Sequence, residues 1–342
     1  MNEASRSISV AVCTYNGARF LGQQLRSIVD QSMVPHQLVI ADDGSSDSTV
    51  AVVQSFSALL ATGEREIDVV FLAADSGPCG AAKNFGRAIA ACTGDVIALA
   101  DQDDVWHPDR LSHAVREFDR DESVLLVASD ARLVNDDGKA TGRSLFESLN
   151  VSADEIRELS GPAPVRALLR RNILAGMTFT FTSELKSMAL PIPDHVMHDY
   201  WLALNAGLMG RMRVLDECLV DYRQHGSNVV GAHRQSRLAR GLSAVRQPSN
   251  AIGRANLYGD VENLVVRHAE RFSPSVQRHV IDKARFERAR ANLPTSKLRR
   301  IAVAASMVAR GTYRAFSPNG NIDAIRDTVS SVANNRRKLG GR

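Results

Sequence analysis

Four short apolar runs, each cut off by a polar turn and followed by helical spacing, fill about the first 120 residues, and this alternation restricts the chain to very few architectures. Ile8 to Cys13 ends in Thr14-Tyr15-Asn16-Gly17, and Leu21, Leu25, Ile28 and Val29 then recur on one helical face. Gln37 to Ala41 ends in Asp42-Asp43-Gly44-Ser45; Ser45 or Ser46 is placed to cap a helix carrying Val50, Val53, Phe56 and Leu60. Ile67 to Leu72 leads to the turn Gly77-Pro78-Cys79-Gly80 and a helix over residues 81–91. Asp95 to Ala100 breaks off in three carboxylates, Asp101, Asp103 and Asp104, and Pro108 suits the first position of the next helix. Continuous apolar runs read as buried parallel strands. The expected fold class is therefore α/β, a mainly parallel sheet with helices on both faces.

After Val124 to Ser129 the pattern loosens. Residues 139–162 read as a polar loop with a short helix near 153–159. A helix is expected over 163–171, a strand over Met177 to Phe181, a helix over about 197–208 and a strand over Val214 to Tyr222. From His233 onward only helical spacing appears, over roughly 233–243, 249–271, 275–291, 297–310 and 321–335. Charge switches at the same point. Residues 233–342 hold 22 Lys and Arg against 7 Asp and Glu, which leaves 20 against 31 for residues 1–232 out of totals of 42 and 38. The expectation is two parts, an α/β domain over 1–232 and a basic helical extension over 233–342. Cys13, Cys79, Cys92 and Cys218 lack metal-binding spacing and read as reduced thiols. The apolar run after Met1 to Ser7 is too short for a signal peptide, and no stretch approaches the ~18 apolar residues of a membrane span. A cytoplasmic location is expected.

In an open α/β sheet, ligands bind beyond the carboxyl ends of the strands. The four turns after the four strands would share that rim. Clustered carboxylates repel, and a divalent cation bridging them to a polyphosphate offsets the repulsion. On this reading Asp43 accepts from a base N–H, Asp101 meets a ribose hydroxyl and Asp103 holds a metal on a diphosphate. Gly77 and Gly80 allow close approach of an anion to a helix N-terminus, with Lys83 and Asn84 facing it. Neither a P-loop nor a G-x-G-x-x-G fingerprint is present.

The segments Val10 to Gly17, Leu38 to Asp47, Gly77 to Asn84 and Asp101 to Trp106, in that order, resemble the successive motifs of glycosyltransferase family 2, which has the GT-A fold; the resemblance covers about residues 7–230. It implies nucleobase contacts at Cys13, Tyr15 and Asp43, with Cys13 standing where the family often has Ser or Thr. Asp101 and Asp103 match the D-x-D motif, the first toward the nucleoside and the second toward Mg²⁺ or Mn²⁺. His198-Asp199-Tyr200-Trp201 resembles the catalytic acidic motif. It makes Asp199 the base that deprotonates the acceptor hydroxyl in an inverting displacement, with Asp194 in reserve. Tyr222, Arg223 and His225 resemble the late Y-R-x-H element, with Arg223 on the donor diphosphate and His225 at the diphosphate or metal. Gly176, Met177, Thr178 and Trp201 are the expected acceptor contacts.

Together the D-Q-D-D-V-W, H-D-Y-W and Y-R-Q-H segments look like the rhamnosyltransferase branch of bacterial O-antigen and capsule assembly. That implies a dTDP-rhamnose donor, with a UDP-hexose as the alternative, and a lipid-linked glycan acceptor. The Gln-x-x-Arg-Trp element of processive synthases is absent, which favours adding one or a few sugars per acceptor. Arginines three to four apart along the C-terminal helices read as a membrane-surface element at the inner face of the membrane or as the solvated face of a bundle. No nucleic-acid module is visible. The rival readings are a nucleotidyltransferase, which would show a basic Gly-rich loop after the first strand, and a non-catalytic nucleotide-sugar scaffold.

Overall fold

A computed structural model describes residues 6–63, 65–75, 77–225 and 251–329. The chain divides into two compact units, Met1–Pro164 with Ile173–Ala232, and Val165–Asn172 with His233–Arg342.

The first unit is built on one sheet. Its order is β3-β2-β1-β4-β8-β6-β9-β5, with β7 paired to β6. β1 (Ile8–Thr14), β2 (Gln37–Asp42), β3 (Asp68–Leu72) and β4 (Val96–Asp101) run parallel. They alternate with α1 (Ala18–Val29), α2 (Thr49–Ala61) and α3 (Ala81–Ala91). β1 and β2 are buried along their whole length because helices and neighbouring strands cover them, which is why their sequences are continuously apolar instead of alternating. Val10, Val12, Leu25, Ile28, Ile40 and Trp106 belong to one core cluster. Leu25 is fully buried, so truncation to Ala would cost about 2–5 kcal/mol.

Beyond β4 the sheet is mixed, and the expectation of a mainly parallel sheet holds for only half of it. β8 (Thr180–Thr182) runs antiparallel between β4 and β6 (Leu126–Val134). β9 (Met212–Arg223) runs parallel to β6, and β5 (Val105–Trp106) antiparallel to β9. The 139–162 stretch is not mainly loop. It forms β7 (Ala140–Ser144), α5 (Leu145–Leu149) and α6 (Ala153–Leu159), the two helices started by capping boxes, Ser144 with Glu147 and Ser152 with Glu155. The expected strand from Met177 begins late. Gly176–Thr178 is a 3₁₀ turn, because the Thr178 hydroxyl and amide both bond back to the Ala175 carbonyl. α4 (Arg110–Arg120) and α9 (His198–Leu208) complete the parts that bear on the site; α7 (Val165–Arg170), which belongs to the second unit, and α8 (Ser183–Ala189) come between them in the chain.

The second unit is helical. Its described helices are Val165–Arg170, Ala251–Arg267, Pro274–Ala291, Lys297–Ala309, Thr312–Phe316 and Asn321–Val329. Phe286, Met307, Tyr313, Phe316 and Ala324 form its core cluster. Ser317 and Gly320 close the segment between the last two helices, as the sequence implied. The helix expected over 233–243 and the end of the one expected over 321–335 lie outside the described residues. Among the described residues no helix is long and apolar enough to cross a membrane.

Candidate active site

The parallel register brings three strand ends together. Cys13 lies beside Ala41 of β2 and Asp101 of β4, and Thr14 lies beside Asp42. Asp42 is the scaffold of this rim. It accepts from the Thr14 hydroxyl (2.8 Å), the Ser45 hydroxyl (2.6 Å) and the Gly44 and Ser45 amides (3.0 and 2.8 Å). The Tyr15 ring projects outward, 49% exposed, while its backbone is fixed by a reciprocal pair with the Gln102 amide at 2.8 and 3.0 Å. Gln102 lies so close over Gly17 that a β-carbon there would sit 2.0 Å from its Oε1. The glycine of the first motif is thus a matter of space.

Asp43 is buried, and its two oxygens accept from the Cys79 and Gly80 amides at 2.7 and 2.8 Å. Gly77 and Gly80 have φ of +91° and +88°, the left-handed region that presents those amides. The anion expected at the start of α3 is therefore Asp43 itself. Asn84 is buried and bonds the Ala41 carbonyl, and Lys83 pairs with Asp194 at 3.2 Å on the surface. Asn84 is thus not turned toward a phosphate as expected. Cys13 is a protonated thiol, pushed up by burial and then by the Asp101 and Asp43 carboxylates. All four cysteines are free, Cys13 and Cys92 buried and Cys79 and Cys218 exposed.

The acidic turn after β4 is held from two sides. The Asp101 carboxyl is pushed up to about 7, first by burial and then by Asp103 and Asp199. Asp103 bonds His225 Nε2 at 2.6 Å, and the His225 ring lies 5.3 Å from that of Phe20. Asp104 is fully buried and accepts from the Arg223 amide at 3.1 Å. Arg223 is only 2% exposed. Its guanidinium donates to the carbonyls of Asp103 (2.9 Å) and Asp136 (2.8 Å) and to Gln23 Oε1 (2.9 Å), over the Phe20 ring. The role expected for it on the diphosphate gives way to another. It ties the acidic turn to β9 and to the 135–138 turn, because a buried guanidinium must satisfy its donors locally.

Asp199 opens α9 beside a tight 3₁₀ turn. It accepts from the Tyr200 amide at 2.6 Å and from the Gly176 amide, yet burial outweighs these bonds and pushes its carboxyl up to about 6. A β-carbon on Gly176 would approach the Asp199 Cβ to 3.0 Å and His198 Nε2 to 2.9 Å, so glycine is needed for this closeness. His198 stacks on Phe85 at 4.0 Å, and burial pushes it down to about 3, so it is neutral. Met177 and Thr178 are buried, and Trp201 is buried with its indole N–H on the Ala189 carbonyl at 2.7 Å.

Arg110 joins the two halves of the site, and no sequence signal marks it. It is buried, lies over the Trp106 ring at 3.6 Å, and one Nη donates to the carbonyls of Leu99, Met177 and Phe179 at 2.9–3.1 Å. It thereby links the strand that ends in Asp101 to the turn that supports Asp199. Gln102 and Phe20 were equally invisible, because their partners are distant in the chain.

Among the described residues no group of three His, Cys, Asp or Glu side chains could hold a metal by itself. The Asp103–His225 pair offers one carboxylate and one imidazole. That donor set fits a divalent cation that completes its shell with diphosphate oxygens and water.

Residues 9–177 match the sequence model of glycosyl transferase family 2. The match spans just under half of the chain, and over that stretch the chain is similar to family 2 glycosyltransferases. Its fold is GT-A. It is 28% identical over 227 residues to an uncharacterised glycosyltransferase of Nostoc sp., covering 65% of this chain and 66% of that one. It is 26% identical over 231 residues to the dTDP-rhamnosyl transferase RfbG of Shigella flexneri, covering 65% and 74%. The match thus spans just under two thirds of the Nostoc relative's length. Among solved structures, the Pyrobaculum calidifontis mannosyltransferase PcManGT, in complex with GDP-Man and Mn²⁺, aligns with a TM-score of 0.52 and 16% identity over 98% of this chain and 88% of its own. S. aureus TarS 1–349 in complex with UDP-GlcNAc aligns at 0.51 and 17%, over 97% and 92%.

Proposed function

We propose that this protein is a glycosyltransferase that transfers one or a few sugars with inversion, from a nucleoside diphosphate donor to a glycan acceptor, with Asp199 as general base. The observation that carries this reading is the Asp199 carboxyl. It is half-buried, desolvation pushes its carboxyl up to about 6, and its charge helps raise Asp101. A base near neutrality suits proton removal from a hydroxyl. Asp199 takes the acceptor proton as the acceptor oxygen bonds to the anomeric carbon. The bond from that carbon to the diphosphate oxygen breaks, and the nucleoside diphosphate leaves with its electron pair. No protein nucleophile is needed.

Tyr15, Asp43 and Cys13 line the nucleoside end and Asp101 meets the ribose. Asp103 and His225 would hold a divalent cation, Mg²⁺ or Mn²⁺, which would stabilise charge on the diphosphate. The mannosyltransferase PcManGT, in complex with GDP-Man and Mn²⁺, supports that choice. The donor is dTDP-rhamnose. Likeness to the dTDP-rhamnosyl transferase supports it, and a β-linked donor then gives an α-rhamnosyl product. The acceptor is a lipid-linked bacterial surface glycan, met in the cytoplasm, with residues 1–232 catalytic and 233–342 an extension. A UDP-hexose donor remains the second reading, favoured by the UDP-GlcNAc held in TarS.

The test is thermal shift and nucleoside diphosphate release across a panel of nucleotide sugars with Mn²⁺ or Mg²⁺. A metal-dependent response to dTDP-rhamnose alone supports the full reading. A response only to UDP-sugars replaces the donor. Silence from folded protein overturns the catalytic reading in favour of a scaffold.

A further inference from the structure

The second unit carries an apolar surface with a one-sided charge. On the helix Lys297–Ala309, Arg300, Ala304 and Met307 face inward. The opposite face repeats Leu298, Ile301, Ala302, Ala305 and Ala309, all exposed, with Leu298 82% exposed. The helix Asn321–Val329 packs against it. That helix turns Asp323, Ala324, Arg326 and Asp327 inward and leaves Ile322, Ile325 and Val329 exposed at 43%, 57% and 62%. Five large aliphatic side chains stand in solvent on two neighbouring helices, at the spacing that would ordinarily be buried.

The charges around them have one sign. Lys297, Arg299, Arg310 and Arg314 are exposed. The only acids between residues 294 and 329 are Asp323 and Asp327, and both are buried in ion pairs. Residues 330–342 add Arg336, Arg337, Lys338 and Arg342 to the sequence and no acid. A solvated helix face or an ordinary protein contact has no need of an aliphatic stripe stripped of every acid. An interfacial helix does, because its apolar side enters the boundary between headgroups and acyl chains while its cations meet lipid phosphates. At 13 residues the first helix is about 20 Å long, too short to span a bilayer and suited to lie along it.

We propose that this face, centred on Leu298, Ile301, Ile322, Ile325 and Val329, docks the protein on an anionic lipid surface. The charge complementarity selects lipid over a second copy of the chain, whose identical basic face would be repelled.

The experiment is flotation of the full-length protein with vesicles of phosphatidylcholine alone and of phosphatidylcholine with about a third phosphatidylglycerol. Flotation with the anionic vesicles, weakened at high salt and absent on neutral ones, is expected. Arg299→Gln/Arg310→Gln/Arg314→Gln should lower the affinity about a hundredfold, at roughly fivefold per charge. Leu298→Glu/Ile325→Glu should abolish flotation and leave thermal unfolding and donor hydrolysis unchanged. Leu298→Trp, a milder change, should show a blue-shifted emission on adding anionic vesicles. The proposal is overturned by absence of flotation, by flotation that survives Leu298→Glu/Ile325→Glu, or by light scattering that finds a lipid-independent dimer dissociated by the same double substitution.

Discussion

Two places in this molecule bury carboxylates, and they treat them in opposite ways. Around the ends of β1 and β4, Asp101 is raised to about 7 and Asp199 to about 6, because burial and like charge are not matched by cations. In the helical unit Glu287, Asp323 and Asp327 are buried almost completely, and each has a cation. Lys283 bonds Glu287 at 2.7 Å, Arg254 bonds it at 3.1 Å, Arg290 clamps Asp327 with bonds of 2.6 and 3.1 Å, and Arg326 meets Asp323 at 3.2 Å. There Glu287 and Asp323 are lowered, burial being outweighed for Glu287 by Lys283, Arg290 and Arg254 and for Asp323 by the Ser317 hydroxyl and Arg326. Lys283 falls to about 8, since its burial exceeds the help from Glu287. A compensated network serves folding. Uncompensated carboxylates cost stability and persist where chemistry needs a base or a cation.

Substitution separates the two most sharply. Asp199→Asn should lower the transfer rate about 10²–10⁴-fold in initial-rate assays while leaving donor affinity in place. The same change should raise the melting temperature at pH 7.5, since ionising a carboxyl held near pH 6 costs the fold up to about 3 kcal/mol. Glu287→Gln should do the reverse. It strands Lys283 and Arg290 in the interior, a loss of about 3–5 kcal/mol measurable by denaturant unfolding, with no direct loss of donor binding.

The pH dependences should also oppose. Asp199 has a folded pKa above its unfolded value, so its contribution favours the fold at low pH and is lost as pH rises from about 4 through about 6. Transfer should increase over the same rise and level off above it. Glu287 and Asp323 have lowered values, so their stabilisation is complete above about pH 4.5 and disappears as pH falls below it. Calorimetry and a pH–rate profile check both signs.

Smaller effects should come from positioning groups. Arg110→Lys keeps a charge but cannot reach three carbonyls. It should reduce kcat by about tenfold with little change in KM, and shift the acidic limb of the pH profile, because the turn under Asp199 loosens. Gly17→Ala should displace Gln102, free the Tyr15 backbone and weaken donor binding severalfold by calorimetric titration, the mildest change of the set.

The parallel half of the fold was readable because its strands are apolar throughout and its turns carry Gly, Asp and Ser at the points of reversal. Asp43, Asp101 and Asp103 stood out in the sequence because each directly follows an apolar strand run, whereas Asp199 stood out only through its likeness to a family motif, since Asp at a helix start is common by itself. The mixed half was harder to read. β8 is three residues long, β5 is two, and β7 is exposed and short of apolar residues, so none has a period to detect.

What the chain determined by itself is local: strand, turn and helix along residues 8–120, the charge asymmetry, and which carboxylates could be chemical. Tertiary structure decided how each charge is used. Arg223 looked like a phosphate ligand, and burial turned it into a brace. The α3 amides looked like an anion site, and Asp43 already fills it. Lys83, expected near a phosphate, pairs with Asp194 on the surface. Arg110 carried no signal and joins the two halves of the site. A charged side chain shows its sign in the sequence, but its partner and its hydration are set only by packing, and these fix whether it binds, reacts or holds the fold together.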